Sequence, residues 1–213
     1  MKPHQELINV LSKAYEPCNN FDLCNEAKWK PSKGHIPRGF LGGLGTLEEI
    51  NLVLVFAEPG HPMADSDEIY PDYLSPEEYI DLCTDFAFRC FDLEVDVMHR
   101  NVKYILNKIW PDLPFIDQLK KVWLTETRLC SIDDEIGNIA LNDRKICSKN
   151  YLLQQIALFP EAVVIGFGAK AQSTLKSLRI DHLKAWSVSP PGANNPKAKD
   201  SWDEVILYIE QIK

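Results

Sequence analysis

Apolar residues fall along this chain in two alternating patterns. Short runs with almost no polar interruption occupy Leu52 to Ala57, Val122 to Thr127 and Ala162 to Gly168, and a shorter mixed run spans Lys184 to Val188. Runs of this length and composition predict strands buried on both faces, as in a parallel sheet. Between them, apolar residues recur every three or four positions and predict helices. The first spans Glu6 to Tyr15, with Leu7, Ile8, Leu11 and Ala14 on one face, and Pro17 ends it. A second opens at Ser75-Pro76-Glu77-Glu78, a capping box with proline in the first turn. It carries Tyr79, Leu82, Cys83, Phe86, Cys90 and Phe91 at helical spacing. Further helical patterns cover Val95 to Trp110, a segment capped by Ser148 and running through Leu158, Ala169 to Leu178, and Ser201 to Ile212. Strands alternating with helices predict an α/β domain with its sheet covered on both sides. Cys18 to Gly45 reads as a long, irregular but ordered stretch, which in a compact domain is usually functional. Asp65 to Tyr73 reads as an acidic loop.

Two of the strand runs stop abruptly. Leu52 to Ala57 meets Glu58-Pro59-Gly60-His61, and the last run meets Ser187-Val188-Ser189-Pro190-Pro191-Gly192-Ala193-Asn194. In open α/β sheets, ligands bind beyond the carboxyl ends of the strands. Both turns are therefore expected to face one crevice, which makes Glu58, His61, Ser187, Ser189 and Asn194 candidate site residues. The bland alternative is that Glu58 only caps its turn and that the serines sit on a surface loop.

With 213 residues, 45% hydrophobic and 25% charged, the chain reads as a single domain spanning residues 1–213. No apolar run is long enough to cross a bilayer, and the N-terminus lacks a signal-peptide pattern. A cytoplasmic monomer is the expectation. The net charge of −8 weighs against non-specific nucleic-acid binding, leaving only local basic strips at Lys28, Lys30, Lys33 and Arg38, and at Lys197 and Lys199. Six cysteines in such a chain are expected to be reduced or metal-bound, not paired in disulfides. Cys83 and Cys90, seven residues apart on one helical stripe, read as core.

The serial order of these pieces resembles the uracil-DNA glycosylase superfamily, most closely its iron–sulfur branch. The resemblance rests on a strand ending in Glu58-Pro59-Gly60 and a strand at Val122 to Thr127 followed by Cys130, Arg144 and Cys147. It continues through Tyr151 to Ile156, Phe159 to Ala171, and a strand ending in Ser189-Pro190. It implies a three-layer α/β/α sandwich around a short, mostly parallel four-stranded sheet. It also implies a DNA partner and a hydrolase of base excision repair, which cleaves the N-glycosidic bond of a damaged base flipped out of DNA.

Under that resemblance, Glu58 orients water and Phe56, Ala57 and Gly60 frame it, with His61 beside them. Ser187 stands where the family has a histidine, a weaker donor to the departing base. Ser189 and Asn194 belong to the turn that meets DNA. Glu126, four residues before Cys130, stands where the iron–sulfur branch has a base-reading asparagine. An ionised carboxylate there only accepts hydrogen bonds and would reject uracil unless protonated; a one-residue slip would present Thr125 or Thr127 instead. Phe40, Tyr70, Tyr73 and Phe86 are candidates for stacking on the base, Phe86 reading better as core. Cys18, Cys24, Cys130 and Cys147 are the implied ligands of a [4Fe–4S] cluster, although Cys18-x5-Cys24 is wider than the family's usual first pair. Zinc on the same sulfurs, or four reduced thiols, are the alternatives. Two other functions stay open: a non-catalytic nucleic-acid or nucleotide-binding protein on the same fold, and a domain binding a phosphorylated ligand at Gly166-Phe167-Gly168.

Overall fold

A computed structural model describes residues 1–15, 18, 21, 24, 27–62, 68–131 and 141–212. Pro17 and part of the acidic Asp65 to Tyr73 loop lie outside the described residues. The elements in chain order are α1 (Gln5–Ser12), β1 (Leu41–Gly42), β2 (Leu52–Phe56), α2 (Pro76–Asp92), α3 (Val97–Ile109), α4 (Phe115–Gln118) and β3 (Val122–Glu126). Then follow α5 (Leu141–Cys147), α6 (Leu153–Ala157), β4 (Val163–Phe167), α7 (Gly168–Ser177), β5 (Leu183–Ala185) and α8 (Ala198–Ile212).

Among the described residues the sheet is mixed and has five strands, in the order β1-β3-β2-β4-β5, not the four expected. The extra strand, β1, is antiparallel to β3, pairing Leu41 with Leu124 and Gly42 with Trp123. Two residues carry no alternation to read. Gly42 has φ +99°, and a Cβ there would lie 2.2 Å from the Val122 carbonyl oxygen, so only glycine lets the edge approach so closely. The other four strands run parallel, which puts their carboxyl ends on one side.

Strand side chains alternate between two cores. Val53, Val55, Trp123 and Val164 join α1, the first half of α2 and α7 in one; Leu52, Leu54, Phe56, Val122, Leu124, Ile165 and Phe167 join α3 and α8 in the other. Helices thus cover both faces of the sheet. Ser75 and Glu78 form the expected capping box on α2. Ser148 caps nothing. The helix begins earlier, at Leu141, and Ser148 opens a wider π-helical turn to Leu152, its hydroxyl donating to the Thr127 carbonyl at 2.6 Å. That bond, with Gln155 accepting from both Trp123 Nε1 (2.8 Å) and Thr125 Oγ1 (2.7 Å), locks β3 to this helix. Thr125 therefore has its hydroxyl committed inside the core. No helix among the described residues is long and apolar enough to cross a membrane.

Candidate active site

Chain order steps from β2 to β3 on one side of the sheet and then to β4 on the other, so the direction of winding reverses between β2 and β4. At the carboxyl ends of these strands lies a cavity of about 630 Å³. Glu58, His61, Phe56, Ala57, Gly60, Phe40, Glu126, Ser187 and Ser189 all line it. The two turns thus share one hollow. Asn194 does not reach it; it sits exposed in the short helical turn Gly192–Asn194.

Glu58 is the point where the wall is most charged. Its Oε1 accepts from Lys170 Nζ at 2.6 Å, and its Oε2 faces Arg144 Nε at 3.5 Å. Lys170 stands in the first turn of α7, so the Glu58–Lys170 pair bridges the loops that follow β2 and β4. Glu58 is thus neither a bare turn cap nor a free carboxylate. The rule that drew attention to the ends of β2 and β5 also covers the end of β4, and applied there it singles out Lys170. Arg144 enters the sequence reading only as part of the resemblance, without a site role, and arrives here from α5.

Glu126 ends β3 beside Phe56 and is buried, with Oε2 lacking a hydrogen-bond partner among the described residues. Burial, then the charge of Glu58, pushes its carboxyl well above the ordinary glutamate range, with Arg38 opposing. Arg38 itself belongs to no open basic strip: it is largely buried, pairs with Glu68 at 2.9 Å and donates to the Gly60 carbonyl, tying the Glu58 turn to the segment before β1. Thr127 is turned away, its hydroxyl donating to the Ala57 carbonyl.

The Ser187 hydroxyl is engaged locally, donating to the Ser189 carbonyl and accepting from the Ser189 N–H, both at 3.1 Å. The turn is set by close approach: a Cβ on Gly168 (φ +82°) would lie 3.2 Å from Ser187 Cβ, and one on Gly192 2.7 Å away. Gly168 is therefore demanded by packing, an explanation of the Gly-x-Gly that needs no phosphate.

Three further residues, Asp96, His99 and Asn101, carry no signal in the sequence. Asp96 caps α3 and accepts from His99 Nδ1 at 2.7 Å. Burial opposes it, but the hydrogen bonds from the His99 ring and backbone hold the Asp96 carboxyl below its ordinary value. His99 packs edge-on to Phe91 and lines the cavity, and Asn101 docks α3 onto the serine turn through the Val188 carbonyl at 2.9 Å. Among the aromatics, Phe40 lines the cavity while stacked on Trp123, and Tyr70 lines it with a buried hydroxyl. Tyr73 is fully exposed and outside it. Phe86 lies outside both cores and lines the cavity, which corrects its reading as core: the apolar stripe of α2 serves both the core and the cavity wall. Cys83 and Cys90 are buried on that stripe.

Cys18, Cys24, Cys130 and Cys147 converge on a second, small cavity with Arg128 and Tyr151. No disulfide joins them. Burial, then the neighbouring thiols Cys147 and Cys24, pushes Cys130 well up, and burial pushes Cys147 up to about 12, with Arg128 pulling both the other way. Among the described residues, no three His, Cys, Asp or Glu side chains gather tightly enough for a single metal ion.

The chain matches no family model, and no curated protein matches it in sequence.

Proposed function

We propose that the protein is a DNA glycosylase-like hydrolase, which breaks the N-glycosidic bond of a damaged or deaminated base turned out of DNA into the cavity beside Glu58. The supporting observation is the convergence of an acid, a buried carboxyl and a serine–proline turn on one hollow of about 630 Å³. That volume suits a small ligand. The sheet with helices on both faces is compatible with the three-layer α/β/α arrangement that this reading takes.

The chemistry follows from charge. As the bond between the sugar C1′ and the base nitrogen breaks, its electron pair leaves with the base and positive charge grows on the sugar. Glu58, held in place by Lys170 and Arg144, supplies a fixed negative charge for that oxocarbenium-like centre and an acceptor for the attacking water. The departing base needs a proton or a donor. Ser187 is committed to its own turn, so the histidine held by Asp96 takes that role. Lys170, which is half-exposed, is placed for a phosphate at the cavity mouth.

The four cysteines around the small cavity are the residues that would hold a [4Fe–4S] cluster, with zinc on the same sulfurs as the alternative. A cluster spreads one thiolate to each iron, and Arg128 offsets their charge. When bound, it would cross-link the segment holding Cys18 and Cys24 to those holding Cys130 and Cys147.

One observation favours a second reading. A carboxylate paired with two cations is costly to redeploy, which suits a binding protein whose Glu58 is structural. Release of free base from duplexes carrying uracil, hypoxanthine or xanthine decides between them. Excision by the parent, lost on the order of 100-fold in Glu58→Gln, supports catalysis. DNA binding with no base released from any of the three duplexes supports the binding protein.

A further inference from the structure

Glu126 is buried at the end of a central strand, lines the cavity, and has neither oxygen tied by a hydrogen bond or ion pair among the described residues. A buried charge without such partners is too costly to persist, whereas a neutral carboxyl needs only one donor and one acceptor opposite it. A Cβ on Gly39 (φ +87°) would lie 2.5 Å from Glu126 Cγ and 3.1 Å from Oε1, so the side chain occupies space that only glycine at position 39 leaves open. The charged groups that bear on it are Glu58, on the neighbouring strand end and itself paired with Lys170 and Arg144, and Arg38, which is engaged by Glu68.

We propose that Glu126 reads the edge of the bound base as an uncharged carboxylic acid, and that its proton can sit on either oxygen to suit that edge. This rests on the base-binding reading of the cavity. With the proton on one oxygen, the group complements a lactam edge, a ring N–H beside a carbonyl, as in uracil, hypoxanthine or xanthine. With the proton on the other, it complements an amidine edge, a ring nitrogen beside an amino group, as in cytosine or adenine. The cavity is therefore tolerant of both edge types while Glu126 is neutral. Ionisation leaves two acceptors, neither of which can face the carbonyl of a lactam or the ring nitrogen of an amidine. Burial and Glu58 extend the neutral range well above that of an ordinary glutamate.

The test is equilibrium binding of free uracil and free cytosine to the full chain across pH 6 to 10, for the parent, Glu126→Gln and Glu126→Ala, with base release from a uracil duplex measured on the same samples. Thermal unfolding verifies that each variant is folded. Glutamine keeps one donor and one acceptor but cannot ionise. The expected result is that the parent binds both bases and loses affinity about tenfold per pH unit above the Glu126 ionisation. Glu126→Gln should bind both and lack that limb, and Glu126→Ala should bind neither. A pH profile shared by parent and Glu126→Gln overturns the proposal, as does absence of binding to the folded parent, or tight binding of uracil with complete rejection of cytosine. Base release is a separate readout. If binding behaves as expected and no duplex is cut, the excision reading fails and the role of Glu126 stands.

Discussion

Replacing Glu126 with glutamine should change how the stability of the protein depends on pH. In the unfolded chain this carboxyl ionises near ~4.3, the ordinary glutamate value. In the folded protein, burial first and the charge of Glu58 second hold it well above that range. Between those two points the folded state binds one more proton than the unfolded state. The stability contributed by the proton is fully present below ~4.3 and is lost as pH rises toward the folded-state ionisation, at about 1.4 kcal/mol per pH unit. Each pH unit of that window is a sizeable share of a typical net stability of roughly 5–15 kcal/mol. Glutamine fills nearly the same volume and carries no such proton. Urea unfolding of parent and Glu126→Gln at pH 5, 6 and 7 measures the difference, with the denaturant slope checking that the unfolded state is unchanged. The advantage of Glu126→Gln should grow with pH, at up to about 1.4 kcal/mol per unit between the two ionisations. Curves that stay parallel across this range would refute the neutral carboxyl.

The other expectations concern the rest of the site. Glu58→Ala should cost about 1–3 kcal/mol, because it removes a carboxylate that faces the buried Arg144, whereas Lys170→Met should cost less than about 1 kcal/mol, because Lys170 keeps access to water; chemical denaturation compares the two. Gly168→Ala should lose about 1–2 kcal/mol to its left-handed backbone and the approach of Ser187, while Gly60→Ala, with nothing within 4 Å among the described residues, should stay within about 0.5 kcal/mol of the parent. Anaerobically purified protein should be brown and absorb near about 400 nm, and Cys147→Ser should bleach it; a colourless parent with stoichiometric zinc would contradict the cluster.

Most of the sheet could be read because parallel strands buried on both faces leave dense apolar runs, and the runs at 52–57, 122–127 and 162–168 each contain a strand within a residue or so. β1 could not, since two residues fixed by Gly42 at the edge show no pattern. The candidate site was legible wherever chemistry-bearing residues follow a strand end, as at Glu58, His61, Ser187 and Ser189. It was not legible where partners arrive from elsewhere in the chain. Arg144 and Arg38 reach the Glu58 turn only through tertiary packing, and the His99–Asp96 pair looks in sequence like an ordinary helix cap. Phe86 reads as core in the sequence because one helical stripe faces both a core and a cavity, and periodicity carries no sign of which. Ser148 resembles an N-cap in sequence, yet its hydroxyl serves the Thr127 carbonyl from inside a continuous helical segment.

The most direct measurement is a structure of the protein with an oligonucleotide carrying a 2′-fluoro-2′-deoxyuridine, whose glycosidic bond resists cleavage. The base should lie in the hollow at the ends of β2, β3 and β4, its edge against Glu126 and its sugar C1′ beside Glu58. A bound strand with its base stacked in the duplex and that hollow empty would contradict the account.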